Sequence, residues 1–157
     1  MMNVKPSVFL DTNVLIRANV QTAPFHSETL SAIQQLHRAG AALWISRQVI
    51  REYMSVVTRP QTFMSSMKAE KVIERVRYFE SHLHVAESSR EVTARLLALL
   101  EVAPFGGKQV HDANIIAAMQ VYDVSRLFTF NAVDFERFST LVKVLMLEDV
   151  AKELQTK

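Results

Sequence analysis

The sequence predicts an α/β protein with a central, mainly parallel five-stranded sheet flanked by helices. Short apolar runs alternate along the chain with longer segments whose apolar residues recur every three or four positions, and this alternation favours parallel strands joined by helices. The 157 residues are 49% hydrophobic, and glycine and proline are scarce, so the chain can bury one core and shows no linker. We therefore expect residues 1–157 to form a single domain.

Five short apolar runs have the length and composition of buried strands. The first run ends abruptly at Asp11 and the second at Ser46, so a polar residue follows each of them directly. The predicted strands are Val8–Leu10, Leu43–Ile45, His84–Ala86, Leu127–Phe130 and Leu141–Leu145.

The segments between these runs show the spacing of amphipathic helices. Leu30, Ile33 and Leu36 show it in one helix, and Pro60 ends another because proline lacks a backbone N–H. The glycine-rich stretch 104–108 is predicted to be a loop. The predicted helices are Val14–Val20, Glu28–Arg38, Gln48–Thr58, Met67–Phe79, Arg90–Leu100 and Ala113–Tyr122.

The composition excludes several classes of protein. The absence of cysteine excludes disulfides, thiolate metal sites and a cysteine nucleophile, and fits an intracellular, cytoplasmic location. No apolar run approaches the roughly 20 residues that a membrane span needs, and residues 1–5 lack the apolar core of a signal peptide. The net charge of +2 does not by itself indicate nucleic-acid binding, but it allows a local basic patch.

Acidic residues from separate segments are expected at one edge of the sheet. Asp11 follows the first strand, Glu52 lies in the first turns of the helix after the second, and Asp112 opens the helix before the fourth. Asn131 and Asp134 directly follow the fourth strand. Helix N-termini share an edge with strand C-termini, and ligands bind at that edge. Because hard cations prefer oxygen ligands, the pattern predicts a divalent cation site.

Most of these side chains also have a purely structural interpretation. Asp11 or Thr12 could cap the following helix, and Asp134 could cap a helix at residues 135–138. Glu52 lies between the apolar and polar faces of its helix, where a solvated glutamate would be ordinary. His111 fits a loop side chain better than a ligand, since Mg²⁺ and Mn²⁺ prefer oxygen.

Asp112 shares a helix face with the apolar Ile115 and Ile116, which directs its carboxylate towards the sheet. A half-buried carboxylate needs a partner, and a cation is a natural one. The alternative is that the helix dipole alone stabilises an acid in the first turn.

Four blocks stand in a characteristic order along nearly the whole chain. They are Leu10-Asp11-Thr12-Asn13-Val14-Leu15, Glu52 after the second strand, His111-Asp112-Ala113-Asn114-Ile115 and Thr129-Phe130-Asn131-Ala132-Val133-Asp134-Phe135. Together they resemble the PIN-domain nucleases, most of all the VapC-type toxins of bacterial toxin–antitoxin pairs. The resemblance implies a Rossmann-like sheet, an acidic pocket that binds Mg²⁺ or Mn²⁺, and endonucleolytic cleavage of RNA.

The resemblance also implies a role for each residue at the pocket. Asp11, Glu52 and Asp112 match the family's first three acids, with Asp11 and Asp112 as direct metal ligands. Glu52 would bind the metal through water or help to activate the attacking water. Asn131 stands where many members have a fourth acid, so it would position water, and Asp134 would supply the missing charge. Further water-positioning groups are expected at Thr12, Asn13 and Thr129. Four cations lie close in sequence to these segments, and we expect them to contact phosphates, with ordinary surface charge as the alternative for each. They are Arg17, Arg47, Arg51 and Lys108.

A partner surface is expected beside the pocket. Met64 and Met67 lie between two of the predicted helices, 48–58 and 67–79, and flexible thioethers suit a surface that packs against another chain. We expect an antitoxin peptide to bind here, and the protein to form a homodimer as the family does.

Two other functions remain open. One is a catalytically inactive PIN module that binds RNA or protein, which the Asn131 departure would favour. The other is a phosphatase or phosphotransferase with an aspartyl nucleophile, which usually needs a second Asp where this chain has Asn13.

Overall fold

Five parallel strands form the sheet in the computed structural model, which describes residues 6–155. Their order across the sheet is β3-β2-β1-β4-β5, and every neighbouring pair is parallel. The predicted fold class is therefore confirmed. The strands are β1 Ser7–Leu10, β2 Ala42–Ser46, β3 His84–Ala86, β4 Arg126–Phe128 and β5 Lys143–Leu145.

The helices connect these strands and flank the sheet. Helix α1 packs against α2 and α3, α2 packs against α7, and α5 packs against α6. None of the helices between residues 6 and 155 is long and apolar enough to cross a membrane. The helices are α1 Thr12–Asn19, α2 His26–Arg38, α3 Arg47–Val57, α4 Ala69–His82, α5 Arg90–Val102, α6 Gln109–Val121 and α7 Leu147–Gln155, with a 3-10 helix at Ala132–Phe138.

The chain reverses its direction across the sheet next to β1. From β1 it runs outwards through β2 and β3, and then returns to place β4 and β5 on the other side of β1. The carboxyl ends of β1 and β4 lie level, because Leu10 is in register with Phe128. In open α/β sheets, the crevice outside the strand ends at such a reversal is where ligands bind.

The predicted boundaries differ from the structure at β4. We expected this strand to reach Phe130, but it ends at Phe128. The backbone N–H groups of Phe130 and Asn131 donate to the side chains of Asn13 and Thr129 instead of to a neighbouring strand. These side-chain acceptors end the strand and begin the loop that carries the candidate site.

Three helix predictions also need correction. Helix α7 was not predicted. Helix α6 begins at Gln109, so Asp112 lies within its first turn instead of opening it. The 3-10 helix begins at Ala132, directly after Asn131, and the proposed capping role of Asp134 is wrong because Asp134 lies inside its first turn.

Candidate active site

Asp11 lies at the carboxyl end of β1, where the strand order reverses. Its backbone N–H donates to the Phe128 carbonyl oxygen at 3.0 Å, which extends the pairing of β1 with β4 by one residue. Its Oδ1 accepts a hydrogen bond from the Thr12 N–H at 2.8 Å, so Asp11 caps α1. The capping interpretation is therefore confirmed for Asp11, but it accounts for one carboxylate oxygen and leaves the other to different partners.

The second oxygen of Asp11 is held by the loop after β4. The Thr129 hydroxyl donates to Oδ2 at 2.8 Å, and the Asn13 amide donates to the same atom at 3.3 Å. Asn13 in turn accepts from the Phe130 N–H at 3.1 Å, and Thr129 accepts from the Asn131 N–H at 3.0 Å. Asn13 and Thr129 thus fix the orientation of a buried carboxylate, and the water-positioning role expected for them stays a prediction.

Burial dominates the electrostatics of Asp11. Removal from water raises the pKa of this carboxyl, and the negative charge of Glu52 raises it further. The hydrogen bonds from Thr129, Thr12 and Asn13 act in the opposite direction because they stabilise the ionised form.

Glu52 is half-buried on α3 and reaches towards Asp11. Its Oε2 accepts from the Thr12 hydroxyl at 3.3 Å, and its Oε1 accepts from the Gln48 amide at 2.7 Å. Both oxygens therefore have protein donors, and the interpretation of Glu52 as an ordinary solvated glutamate is wrong.

Gln48 links the helices that carry Glu52 and Asp112. It is buried, and its amide N–H groups donate both to Glu52 and to the His111 carbonyl oxygen, the latter at 2.9 Å. Its oxygen accepts from the Asn114 amide at 2.7 Å. Gln48 and Asn114 were not among the predicted site residues. The available signal was spacing, since Gln48 precedes Glu52 by four positions on one helix face.

Asp112 is an acid of the site whose pKa is clearly raised. Burial raises its pKa to about 6, and the negative charges of Asp134, Asp11 and Glu52 contribute, while His111 opposes the shift. The negative charge of Asp134 therefore acts on Asp112, and its role at a metal site stays a prediction. Asn131 is exposed, its backbone N–H donates to the Thr129 hydroxyl, and its carbonyl oxygen accepts from the Asp134 N–H at 3.1 Å.

The four acids Asp11, Glu52, Asp112 and Asp134 form what we call the acidic cluster. The ion pairs found within residues 6–155 involve none of them. In the same range, no three Asp, Glu or His side chains lie close enough together to enclose an ion. The oxygen donors and the unpaired charge fit a hydrated hard cation such as Mg²⁺, which keeps several waters and needs only one or two carboxylates. They do not form a closed protein cage.

The four cations expected at phosphates have different surroundings. Arg47 is held by Glu80 at 2.6 Å and by Glu87 at 2.8 Å, so its guanidinium is already engaged away from the acidic cluster. Arg17 is half-buried, and its guanidinium carbon lies 4.3 Å from the centre of the Phe130 ring. The other two, Arg51 and Lys108, are exposed.

Comparison with known proteins gives one family. The model of the PIN domain matches residues 8–141. Among curated proteins, none matches the chain.

Similar solved structures share the fold at low sequence identity. VapBC2 from Rickettsia felis, bound to a DNA fragment from its promoter, has a TM-score of 0.62 and 19% identity, covering 89% of this chain and 98% of its own. A toxin–antitoxin complex from Klebsiella pneumoniae has a TM-score of 0.60 and 21% identity, covering 89% and 97%. VapC20 from Mycobacterium tuberculosis, a toxin that cleaves the sarcin–ricin loop, has a TM-score of 0.63 and 13% identity, covering 87% and 98%.

Proposed function

Since the chain belongs to the PIN-domain family, we propose that it is a divalent-metal-dependent endoribonuclease and the cytoplasmic toxin of a toxin–antitoxin pair. The observation that carries this proposal is the acidic cluster at the strand reversal. Four separate segments contribute acids to it, and their mutual repulsion helps to raise the pKa of Asp112 to about 6. A cluster of this kind is electrostatically costly unless a cation binds to it.

In this proposal each acid has a defined task. Asp11 and Asp112 bind the cation directly, and Glu52 binds it through water or accepts a proton from the attacking water. A divalent cation supplies a Lewis acid for the phosphoryl oxygen and lowers the pKa of water. Asn131 positions water where many family members have an acid, and Asp134 contributes the remaining negative charge. Thr12, Asn13 and Thr129 keep the carboxylates of Asp11 and Glu52 in place through the hydrogen bonds they donate.

RNA is the proposed substrate because of the family and because one similar structure is that of an RNA-cleaving toxin. Arg17, Arg51 and Lys108 are the proposed phosphate contacts. We leave Arg47 out of this set because Glu80 and Glu87 neutralise it.

The aspartyl-nucleophile alternative is less well supported. The position that would need a second acid holds Asn13, and its amide already donates to Asp11 and, at 3.4 Å, to the Thr129 hydroxyl. The inactive-module alternative is opposed by the three acids that remain at the first three family positions.

For the antitoxin we propose a groove between α2 and α4. Met64 and Met67, which we expected at the partner surface, pack against the core and are partly buried. The groove has a volume of about 610 Å³, an apolar floor and cationic side chains, and no Asp or Glu among residues 6–155 lines it. An antitoxin segment with apolar and acidic side chains would be complementary to it. Its lining includes Leu30, Ile33, Tyr78, His37, Arg38 and Arg75. Homodimer formation stays a proposal from the family.

The function is tested by incubating purified protein with a structured RNA and, separately, with a small phosphoester. Each substrate is used with Mg²⁺, with Mn²⁺ and with a chelator. We expect the protein to cleave the RNA but not the small phosphoester, and to do so only when Mg²⁺ or Mn²⁺ is present. RNA binding without cleavage under any condition would favour the inactive module, and turnover of the small phosphoester would favour the phosphatase.

A further inference from the structure

Phe25 occupies an unusual position in the turn between α1 and α2. Its φ of 61° and ψ of 25° lie in the left-handed region, which a bulky side chain rarely adopts and which glycine or asparagine tolerates much better. Its side chain is also 56% exposed. Neither the backbone conformation nor burial in the core therefore accounts for a phenylalanine here.

The turn holds Phe25 firmly in this conformation. The Phe25 carbonyl oxygen accepts from the Thr29 hydroxyl at 2.6 Å and from the Thr29 N–H at 2.9 Å. Thr29 is fully buried on α2. The exposed Phe25 ring is consequently carried by a backbone that the buried Thr29 holds in place through two hydrogen bonds.

Phe25 lies beside a second aromatic ring and a guanidinium group. The centres of the Phe25 and Phe130 rings lie 6.1 Å apart, with 32° between the ring planes. The guanidinium carbon of Arg17 lies 4.3 Å from the centre of the Phe130 ring and 5.8 Å from that of Phe25. Arg17 Nη1 donates to the Pro24 carbonyl oxygen at 2.9 Å, which leaves other N–H groups of the guanidinium for an external acceptor. We call these three residues the Arg17–Phe25–Phe130 platform.

The platform adjoins the acidic cluster. The Phe130 N–H donates to Asn13, and the Asn13 amide donates to Asp11 Oδ2. Through Asn13 the backbone of the platform is thus connected to a carboxylate of the cluster. The Phe130 backbone therefore lies beside Asp11, within reach of a nucleic-acid strand bound at the acids.

We propose that the Arg17–Phe25–Phe130 platform binds an unpaired nucleobase of the RNA strand that enters the acidic cluster. The proposal rests on the proposed ribonuclease function and adds the three residues that hold one base of the substrate. Aromatic side chains stack on the faces of unpaired bases, and this stacking works for any base. The Arg17 guanidinium provides N–H donors for a phosphate. In a duplex the base faces are covered by their neighbours, so paired RNA cannot use the platform.

The test measures RNA affinity in the absence of cleavage. A fluorescent, unstructured RNA oligonucleotide and the same strand in a duplex are titrated with protein in a chelating buffer, and anisotropy is recorded. The variant is Phe25→Asn, because asparagine tolerates the left-handed backbone and the variant should fold at least as stably as the wild type. Phe25→Tyr and Phe25→Trp keep an aromatic ring at this position. Leu97→Asn removes a side chain of similar exposure, 54%, from α5 and is the matched control.

We expect Phe25→Asn to bind the single strand about tenfold more weakly, the loss typical of one stacked base, with an unchanged or raised melting temperature. The two ring-containing variants and Leu97→Asn should bind like the wild type, and duplex affinity should not change. Wild-type affinity in Phe25→Asn, failure of both ring variants to restore binding, or an equal loss in Leu97→Asn would overturn the platform alone. Wild-type protein that binds neither form of RNA would overturn the proposed ribonuclease function as well.

Discussion

The Thr129 hydroxyl donates a hydrogen bond to Asp11 Oδ2 at 2.8 Å, although 118 positions separate the two residues in the chain. Both side chains are buried, and they stand at the carboxyl ends of the two strands between which the sheet reverses its order. The bond joins the first and the last parts of the candidate site to appear in the sequence.

Replacing Thr129 with valine should destabilise the protein and impair the site. Valine has nearly the same shape but cannot donate, so the buried Asp11 oxygen loses its shorter side-chain hydrogen bond, at a cost of about 1–3 kcal/mol. Urea unfolding followed by circular dichroism measures this cost. Thr129→Ser keeps the hydroxyl and is the matched control. A valine variant as stable as the serine variant would show that the bond contributes nothing to the folded state.

The raised pKa of Asp112 predicts how stability depends on pH without metal. The pKa is 3.8 for an ordinary Asp and about 6 in the folded protein, so the folded state binds a proton more tightly than the unfolded chain does. The stability from this group is fully present below pH 3.8 and is lost as the pH rises through 6. The Asp112→Asn variant has no carboxyl group at this position, so it does not lose stability in this way as the pH rises.

The stability of Asp112→Asn relative to the wild type should therefore rise between pH 3.8 and 7 in a chelating buffer, and Mg²⁺ should reduce the difference at pH 7. The difference is obtained from urea unfolding of both proteins at several pH values. A difference that stays constant over this window would contradict the raised pKa of Asp112, which burial and the neighbouring acids produce together.

The sequence predicts the acids of the site better than their supports. Asp11 and Asp112 are recognisable because strand ends and helix starts meet at one edge of a parallel sheet. Gln48 has only its spacing from Glu52 as a local signal, and Asn114 has none. The contact between them joins α3 to α6 across 66 positions, and no local pattern contains that pairing.

The boundaries of the strands are limited in the same way, because they depend on contacts between residues that are distant in the sequence. The strands were found from apolar runs, but β4 ends early at Phe128 because the Phe130 and Asn131 N–H groups bond to the Asn13 and Thr129 side chains. The ion pairs of Arg47 with Glu80 and Glu87 were also invisible in the sequence, because they depend on how α3, α4 and the end of β3 pack together.

Gln48 should affect metal binding more than folding. Gln48→Met removes the donor to Glu52 Oε1 and the partner of Asn114, so the Glu52 carboxylate is no longer fixed. Groups that orient metal ligands typically change metal affinity by about 10- to 100-fold. We expect the Mg²⁺ concentration for half-maximal cleavage to rise by about 10- to 100-fold.

The double variant Gln48→Met with Asn114→Leu provides the control for Gln48. It removes both partners of the 2.7 Å bond, so its loss of stability should be smaller than the sum of the two single losses. An unchanged Mg²⁺ requirement in Gln48→Met would show that Glu52 does not depend on this contact.

Arg47 should behave differently from the other cations near the site. Its contacts with Glu80 and Glu87 are those of a partly exposed ion pair, so Arg47→Gln should cost at most about 1 kcal/mol of stability and leave RNA affinity unchanged. Arg51→Gln and Lys108→Gln should instead weaken binding and make it less sensitive to salt, because each phosphate contact contributes to the salt dependence. Anisotropy titrations at several salt concentrations compare the three variants. A lower salt dependence in Arg47→Gln alone would reverse this assignment.

The most direct test of the account is RNA cleavage by Asp112→Asn, measured together with its melting temperature in a chelating buffer. Asp11→Asn is less informative, because Asp11 accepts hydrogen bonds from Thr12, Asn13 and Thr129 and an amide would oppose one of these donors. Asp112→Asn removes a charge that the neighbouring acids disfavour, so the melting temperature should stay the same or rise. Cleavage with Mg²⁺ or Mn²⁺ should fall by at least about 100-fold, since a direct ligand should matter no less than the groups that orient it.

Asn131→Asp is the companion variant and should tighten Mg²⁺ binding if residue 131 adjoins the acidic cluster. If Asp112 is a metal ligand, the stability and the RNA cleavage of Asp112→Asn should move in opposite directions. Cleavage at the wild-type rate, with a melting temperature that falls as it does when a helix-stabilising acid is lost, would contradict it.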